Sequence, residues 1–255
     1  MNLRLALELA RRDIKNRYSG SIFGVWWSFI WPVVMIFIYT VIFSKVLGAK
    51  LPQLSIKFSY GIYLATGLLP WTTFANTLSR LTTVFIDNKY ILTKIPIELS
   101  TLILSVILSE LFSFSISFGI LIFILLFLGV KLTLMGLLIF TVSFFIQEIL
   151  VAALGILTSI VTVFIRDLKE IVNIVLQLWF WVTPIVYTPN IVPKEFQLFL
   201  KFNPLYYTTE GFHQIIYPNP HPPKGLFFLC LASVLLFIIS LKFLKVMEND
   251  VRDFS

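Results

Sequence analysis

The chain has 255 residues, of which 58% are hydrophobic and only 13% are charged, and its formal net charge is +7 at neutral pH. Soluble globular proteins carry about 25% charged residues, so the composition excludes an ordinary soluble domain and predicts an integral membrane protein. The first 24 residues are too charged for a secretory signal peptide, and the single cysteine, Cys230, excludes an internal disulfide.

Residues 3–18 predict an amphipathic helix. Apolar residues recur there at helical spacing, and they are Leu3, Leu7, Ala10, Ile14 and Tyr18. Cations occupy a neighbouring face, so we expect the helix to lie in the membrane interface, followed by a bend at residues 19–24. A plain topology signal is the alternative, although such a signal requires no helical periodicity.

Six segments are long and apolar enough to cross a bilayer as helices, since about twenty residues span the hydrocarbon core. They are residues 25–47, 59–84, 97–128, 132–164, 171–188 and 225–247. The sequence therefore predicts an all-α integral membrane protein with six transmembrane helices. It forms one domain, residues 1–255, divided into an interface helix (1–20), a six-span region (25–247) and an outer loop (189–224).

The distribution of cations predicts the orientation. With the N-terminus inside, the segments on the inner side hold 13 Lys and Arg residues and those on the outer side hold 7. Both termini are therefore expected in the cytoplasm, and the loop 189–224 is expected to face outward.

Several aromatic residues lie too deep in the predicted spans for the interfacial belt. Trp71, for example, is about 18 Å into the second span at 1.5 Å per residue. Such residues pack between helices, face lipid or line a path, and we assign a translocation path to Trp31, Tyr39, Trp71, Trp179 and Trp181. The same spans contain Pro32, Pro70 and Pro184, which are expected to kink them.

The inner loop "IDNKYILTKIP" (86–96) predicts a short helix between the second and third spans. Asp87 and Asn88 are its candidate caps, and Pro96 is suited to the start of the next helix. A solvated connector is the alternative.

Two carboxylates, Glu110 and Glu148, fall inside the third and fourth spans, where ionised groups are costly. Counted from the tight turn at residues 129–131, they lie at similar depth, roughly 27–30 Å from the outer side. Pairing with Arg80 or with backbone groups is the structural interpretation, and proton coupling is the functional alternative.

The outer loop is too apolar for an open loop in water. Asn203 can cap a helix and Pro204 can take its first position, so two short helices that re-enter the outer leaflet are predicted. We assign a periplasmic gate to Tyr206, Tyr207 and Phe212, because apolar rings can exclude water from a constriction. A static plug or a dimer contact is the alternative.

The chain shows no phosphate-binding GxxxxGK[ST] loop, no paired histidines for a metal and no repeat of 20–50 residues. These absences favour a transporter or channel over an enzyme, with no cofactor or metal in this chain. No nucleic-acid partner is expected either, because membrane topology explains the net charge of +7. A membrane-embedded enzyme of polysaccharide assembly and a passive channel remain the rival classes.

Several blocks, in order, resemble the permeases of type-2 ABC exporters in the branch that exports cell-surface polysaccharides, most of all those of lipopolysaccharide O-antigen. The blocks are residues 11–44, 67–80, 88–100, 166–187 and 203–217. His213 departs from the pattern, since relatives often carry arginine there, so it receives no family role.

The resemblance implies a homodimeric channel with two copies of a separate ABC ATPase, which binds ATP and Mg²⁺. The substrate would be a lipid-linked polysaccharide, whose sugar faces flat aromatic rings can support. The N-terminal helix and the inner loop would touch the ATPase, through Arg11, Arg12, Asp87, Asn88, Lys89 and Tyr90. Export of capsule, teichoic acid, a drug or a glycolipid is the alternative, and a bacterial inner membrane is the expected location.

Overall fold

The computed structural model describes residues 3–18, 30, 33–35, 37, 38, 59–94 and 97–254, and these contain helices and no strand. The helices are α1 (Leu3–Tyr18), α2 (Ser59–Asp87), α3 (Lys89–Lys94), α4 (Leu99–Phe127), α5 (Leu134–Phe164), α6 (Leu168–Val182), α7 (Lys194–Phe202), α8 (Pro204–His213), α9 (Leu226–Val246) and α10 (Glu248–Phe254). Short 3-10 turns cover Pro189–Ile191 and Gln214–Ile216. The all-α prediction is confirmed for this part of the chain, whereas the bend at 19–24, most of the first span, Trp31 and Tyr39 lie outside it.

Three described helices, α4, α5 and α9, are long and apolar enough to cross a membrane. Helix α2 is as long as α4, at 29 residues, but polar side chains lower its hydropathy. The bounds predicted for the fifth span were wrong, because α6 has only 15 residues and ends at Val182. At 1.5 Å per residue it is about 22 Å long, which is shorter than the hydrocarbon core.

Proline explains the end of α6. Pro184 has no backbone N–H, and it disfavours helical backbone at the residue before it, Thr183, which is extended. The expected kink is therefore a helix end at this position. Pro70, by contrast, lies inside the continuous helix α2.

Helix α5 is at the centre of the bundle. It packs against α2, α9 and α8, while α4 packs against α2 and α1. A stack of Phe114 on Phe144, with ring centroids 3.8 Å apart, joins α4 to α5. The predicted tight turn between these two helices is confirmed, because Gly129 has a φ of 76° and follows the end of α4. The N–H groups of Gly129 and Val130 bond the carbonyls of Leu126 and Leu125, which is a Schellman helix end.

The first and last described helices, α1 and α10, lie at the same end of the bundle, here called the proximal end, where α2 and α5 finish. Helix α1 packs on α4, and Arg252 of α10 donates a hydrogen bond to the carbonyl of Ile97 just before α4. The opposite, distal end contains the turn at Gly129 together with α7 and α8.

Candidate coupling surface, aromatic cluster and distal helices

The face that α1 presents to the rest of the chain differs from the predicted apolar stripe. Ala6 and Ala10 are buried, whereas Leu3 and Leu7 are exposed. The small alanines let α1 approach α4 closely, and the leucines are left on an outer face, where an interfacial helix meets lipid. The predicted helix itself is confirmed.

A buried charged cluster joins α1 to α2 and α4 at the proximal end. Glu110 is only 2% exposed, and its Oε1 lies 2.6 Å from Nη1 of Arg80 and 2.7 Å from Nη2 of Arg17. Asp13 of α1 accepts from the other nitrogen of Arg80 at 2.7 Å and from the hydroxyl of Ser109. The predicted pairing of Glu110 with Arg80 is confirmed, and the part played by Asp13 and Arg17 was missed.

The cluster is balanced, with two carboxylates and two guanidinium groups. Burial raises the pKa of Asp13, but the Ser109 hydrogen bond and the charges of Arg80 and Arg17 together outweigh it and hold that pKa below its ordinary value. Because charge-assisted hydrogen bonds are about twice as strong as neutral ones, the four groups fasten α1 to both helices.

Among the described residues, Glu148 does not form the predicted pair with Arg80 or with a backbone group. Both of its carboxylate oxygens are buried and have no hydrogen-bond partner among the described residues. Both described cations near its depth, Arg17 and Arg80, are already bonded to Glu110 and Asp13.

The inner loop forms the predicted short helix, α3, and of its two candidate caps Asn88 takes the N-cap position, where its carbonyl accepts from the N–H groups of Ile91 and Leu92. Asn88 donates from Nδ2 to the carbonyl of Val84, and Asp87 accepts from the hydroxyl of Thr83, so both side chains turn back to α2. Helix α2 runs through Asp87 and α3 begins at Lys89. Asn88, the one residue between them, therefore closes α2 with its side chain and opens α3 with its backbone carbonyl.

Exposed side chains dominate the proximal surface of α3 and α1. Tyr90 is 69% exposed, and the ammonium group of Lys94 lies over its ring, 3.9 Å from the centroid. Lys89, Arg11 and Arg12 are also exposed. Four of the residues predicted to couple to an ATPase, Arg11, Arg12, Lys89 and Tyr90, are thus accessible to a partner. Their role stays a prediction.

Two of the predicted path residues, Trp71 and Trp179, lie in one aromatic cluster between α2 and α6. Trp71 packs on Phe180 with ring centroids 5.6 Å apart, and Trp179 meets Phe74 edge to face at 5.5 Å. Trp181 meets Phe180 edge to face, with ring centroids 5.3 Å apart, but it lies at the outer side of the cluster and is 66% exposed. Their assignment to a translocation path stays a prediction.

Asn203 connects α6 to α8, and sequence reasoning found only half of its role. Its Oδ1 accepts from the backbone N–H of Leu205, which confirms the predicted cap, and also from the indole of Trp179 at 2.8 Å. Its Nδ2 donates to the hydroxyl of Thr183 at 2.9 Å. One amide therefore fixes the end of α6 against the start of α8.

The outer loop contains the two predicted helices, α7 and α8. Phe212 of α8 is fully buried against Phe140 of α5, with ring centroids 5.0 Å apart. Tyr206 and Tyr207 are half-buried, and the hydroxyl of Tyr207 donates to the carbonyl of Lys201. Their assignment to a gate stays a prediction, as does the re-entry of α7 and α8 into the membrane.

The described residues contain no group of three or more His, Cys, Asp or Glu side chains that could hold a metal ion. The arrangement consists instead of a cluster that fastens helices at one end, aromatic packing in the middle and docked short helices at the other end.

Known proteins resemble the chain over most of its length. A model of the ABC-2 type transporter family matches residues 4–217. The O-antigen export system permease protein RfbA of Klebsiella pneumoniae is 30% identical over 201 residues, covering 79% of this chain and 75% of the relative. The protein of the same name from Myxococcus xanthus is 28% identical over 235 residues, covering 91% and 88%. The polysialic acid transport protein KpsM of Escherichia coli is 20% identical over 208 residues, covering 82% and 79%.

Proposed function

The chain belongs to the ABC-2 type transporter family, and we propose that it is the permease subunit of an ATP-driven exporter of a lipid-linked cell-surface polysaccharide of the O-antigen type. The observation that carries the substrate class is the similarity to two O-antigen export permeases over most of each chain. The location is a bacterial inner membrane, with both termini in the cytoplasm.

A separate ABC ATPase supplies the energy in this proposal, since this chain has no phosphate-binding loop. Two permease chains and two ATPase copies form the working unit, with ATP and Mg²⁺ bound by the ATPase. The basic surface of α1 and α3 is the docking site, because Tyr90, Lys89, Arg11 and Arg12 are accessible at the proximal end.

The proximal charged cluster makes α1 a lever on the spans. A push on α1 is carried by Asp13 and Arg17 to Arg80 of α2 and Glu110 of α4, because the four charged groups are bonded to one another. Helix α2 then reaches the distal end, where the hydroxyl of Tyr60 bonds the carbonyl of Val186. The same helix therefore has polar contacts near both ends, about 30 Å apart at 1.5 Å per residue.

The polymer passes beside the aromatic residues of α2 and α6, in this proposal between two copies of the chain. Exposed Trp181 and the other apolar side chains along α6 suit a sliding polymer, since flat rings contact sugar C–H faces without gripping one unit. Tyr206, Tyr207 and Phe212 close the distal end between transport cycles.

The test is transport in proteoliposomes that contain this chain and the ATPase that co-purifies with it. Lipid-linked O-antigen should move to the compartment opposite the ATPase only when Mg-ATP is supplied. An ATPase whose phosphate-binding lysine is replaced by alanine is the control and should abolish the movement. Movement without ATP, or none with ATP, would reject the proposal.

A capsular polymer is the second candidate substrate, and similarity to a polysialic acid transport protein favours it. The same vesicles distinguish the two, because a capsule exporter would move lipid-linked capsular polymer faster than O-antigen at equal concentration. The lower identity of 20%, against 28–30%, places this candidate second.

A further inference from the structure

We propose that His213 is the positioning residue that docks α8 on the bundle, through a contact that requires glycine at position 67 of α2. His213 is the last residue of α8 and is only 4% exposed. Its ring lies flat on the ring of Tyr63, with centroids 3.6 Å apart and an angle of 15° between the planes. The proposal that His213 docks α8 depends only on these contacts. Its consequence, that docked α8 helps to seal the distal end, rests on the proposed function.

A hydrogen bond joins His213 to α2. The hydroxyl of Thr66 lies 2.7 Å from the carbonyl of Tyr63, to which it donates, and 3.0 Å from Nδ1 of His213. The Thr66–His213 hydrogen bond is buried and connects residues that are 147 positions apart in the sequence.

Gly67 makes the close approach possible. A Cβ atom at this position would lie 2.9 Å from Cε1 of His213 and 3.4 Å from Ile185, which is tighter than ordinary packing. The imidazole therefore occupies the space that any other residue at position 67 would fill. A second close approach, of Gly211 against Ser143 of α5, lies two residues earlier on α8.

These contacts give His213 a different role from its neighbour Phe212. Phe212 contributes apolar packing against α5, which many side chains of similar size can supply. His213 contributes one directed hydrogen bond and one flat ring, in a space that exists because position 67 has no side chain. The orientation of α8 on α2 is therefore specified by the pair of positions 67 and 213 together.

The experiment measures the docking of α8 by thiol protection. Thr209→Cys, in a Cys230→Ser background, places a near-isosteric thiol at a buried position of α8. Docked α8 should protect this thiol from a charged maleimide, while Glu195→Cys on the exposed surface of α7 reports the unprotected rate. His213→Ala should accelerate labelling of the thiol at position 209 roughly tenfold to thirtyfold, as expected for one lost hydrogen bond and one lost ring stack.

Two further variants separate positioning from simple loss of stability. His213→Asn keeps a side-chain amide, which can donate or accept, near the place of Nδ1 and should restore most of the protection. Gly67→Ala should accelerate labelling in the parent but add little in the His213→Ala background, because the added methyl group then has room. Gly119→Ala on α4 is the matched control, since nothing lies within 4 Å of its Cβ position among the described residues.

Equal effects of Gly67→Ala in both backgrounds would overturn the proposal, as would unchanged labelling in His213→Ala. Ion conductance of reconstituted vesicles without ATP is measured on the same variants. Faster labelling with unchanged conductance supports the docking contact and rejects the gate of the proposed function.

Discussion

Removal of both guanidinium groups from the proximal cluster should destabilise the chain by more than the sum of the two single losses. Arg17 and Arg80 both contact Glu110, so each single alanine variant leaves this carboxylate one partner. Both arginine side chains are about one third exposed, which screens their charges, and each single loss should cost about 1 kcal/mol.

The double variant, with alanine at positions 17 and 80, leaves the carboxylate of Glu110, which is 2% exposed, without either of these cations. Leaving one buried charge unpaired costs about 3–5 kcal/mol, so an excess of about 1–3 kcal/mol over additivity is expected. At roughly 2–4 °C per kcal/mol for a chain of this size, the melting temperature should fall by about 10 °C.

The assay is thermal unfolding of the detergent-solubilised chain, followed by the loss of its monodisperse chromatographic peak. Arg4→Ala is the control, because Arg4 is 91% exposed and pairs with exposed Glu8, so its loss should shift the midpoint by less than about 2 °C. Adding Glu110→Gln to the double variant should restore part of the stability by removing the unpaired charge. Additive single effects, or no recovery with Glu110→Gln, would refute the idea that the two arginines share one buried carboxylate.

Three other predictions follow from the proximal surface, the distal helices and the docking contact. The double variant Lys89→Ala, Tyr90→Ala should leave the chain in the membrane but reduce ATPase co-purification or substrate-stimulated hydrolysis. Thr93→Ala on the same helix is the control. Unchanged assembly and unchanged coupling in the double variant would remove α3 from the mechanism. Alanine at the three proposed gate residues, Tyr206, Tyr207 and Phe212, should raise the ion conductance of vesicles without ATP at equal reconstitution. An ion conductance equal to that of the parent would place the seal elsewhere. His213 lies on α8, outside the spanning helices, and burial lowers its pKa to about 3, which outweighs the opposing effect of a hydrogen bond with the Pro184 backbone. The docked state therefore has its full stability above about pH 6.5 and loses stability as the pH falls. At about pH 5 the loss is about 2 kcal/mol, which should accelerate labelling at position 209 about thirtyfold relative to labelling at position 195. The measurement is made in a Glu210→Gln background, which removes the acidic residue of α8. The groups of α2 that contact the His213 ring, Tyr63 and Thr66, stay neutral over this pH range. A labelling rate that does not change with pH would contradict a buried neutral ring.

Local sequence patterns predicted the features that depend on a few neighbouring residues. The bounds of α1, the turn at Gly129 and the cap at Asn203 each follow from periodicity, from a positive φ or from one side-chain hydrogen bond. The same local reasoning failed at Pro184, where a proline expected to kink a span ends a helix instead. Whether a helix continues past proline depends on tertiary partners, and Pro70 has one, since its carbonyl accepts from Gln147 of α5.

Long-range partners were predicted only where chemistry left few choices. A carboxylate inside an apolar helix needs a cation, and Arg80 was predicted near the inner interface at a similar depth to Glu110, so that pair could be named. The second cation, Arg17, comes from a helix 93 residues away along the chain, and no spacing rule connects them. His213 and Thr66 are separated by 147 residues, and the sequence marks their contact with nothing more than an ordinary glycine at position 67.

Helix α2 is the element through which events at the two ends of the bundle can be linked. At its proximal end Arg80 is bonded to α1 and α4, and toward its distal end Thr66 and Tyr63 contact α8. Arg80 and Thr66 are 14 residues apart in the sequence, about 21 Å along one helix axis.

Pro70 lies between Arg80 and Thr66 and removes one backbone hydrogen bond, so α2 is expected to be weakest at this position. The hydrogen bond from Gln147 to the Pro70 carbonyl braces that point against α5. In the proposed mechanism, a displacement at the proximal cluster is passed along α2, and the docking contact of His213 is the first contact with α8 that it reaches.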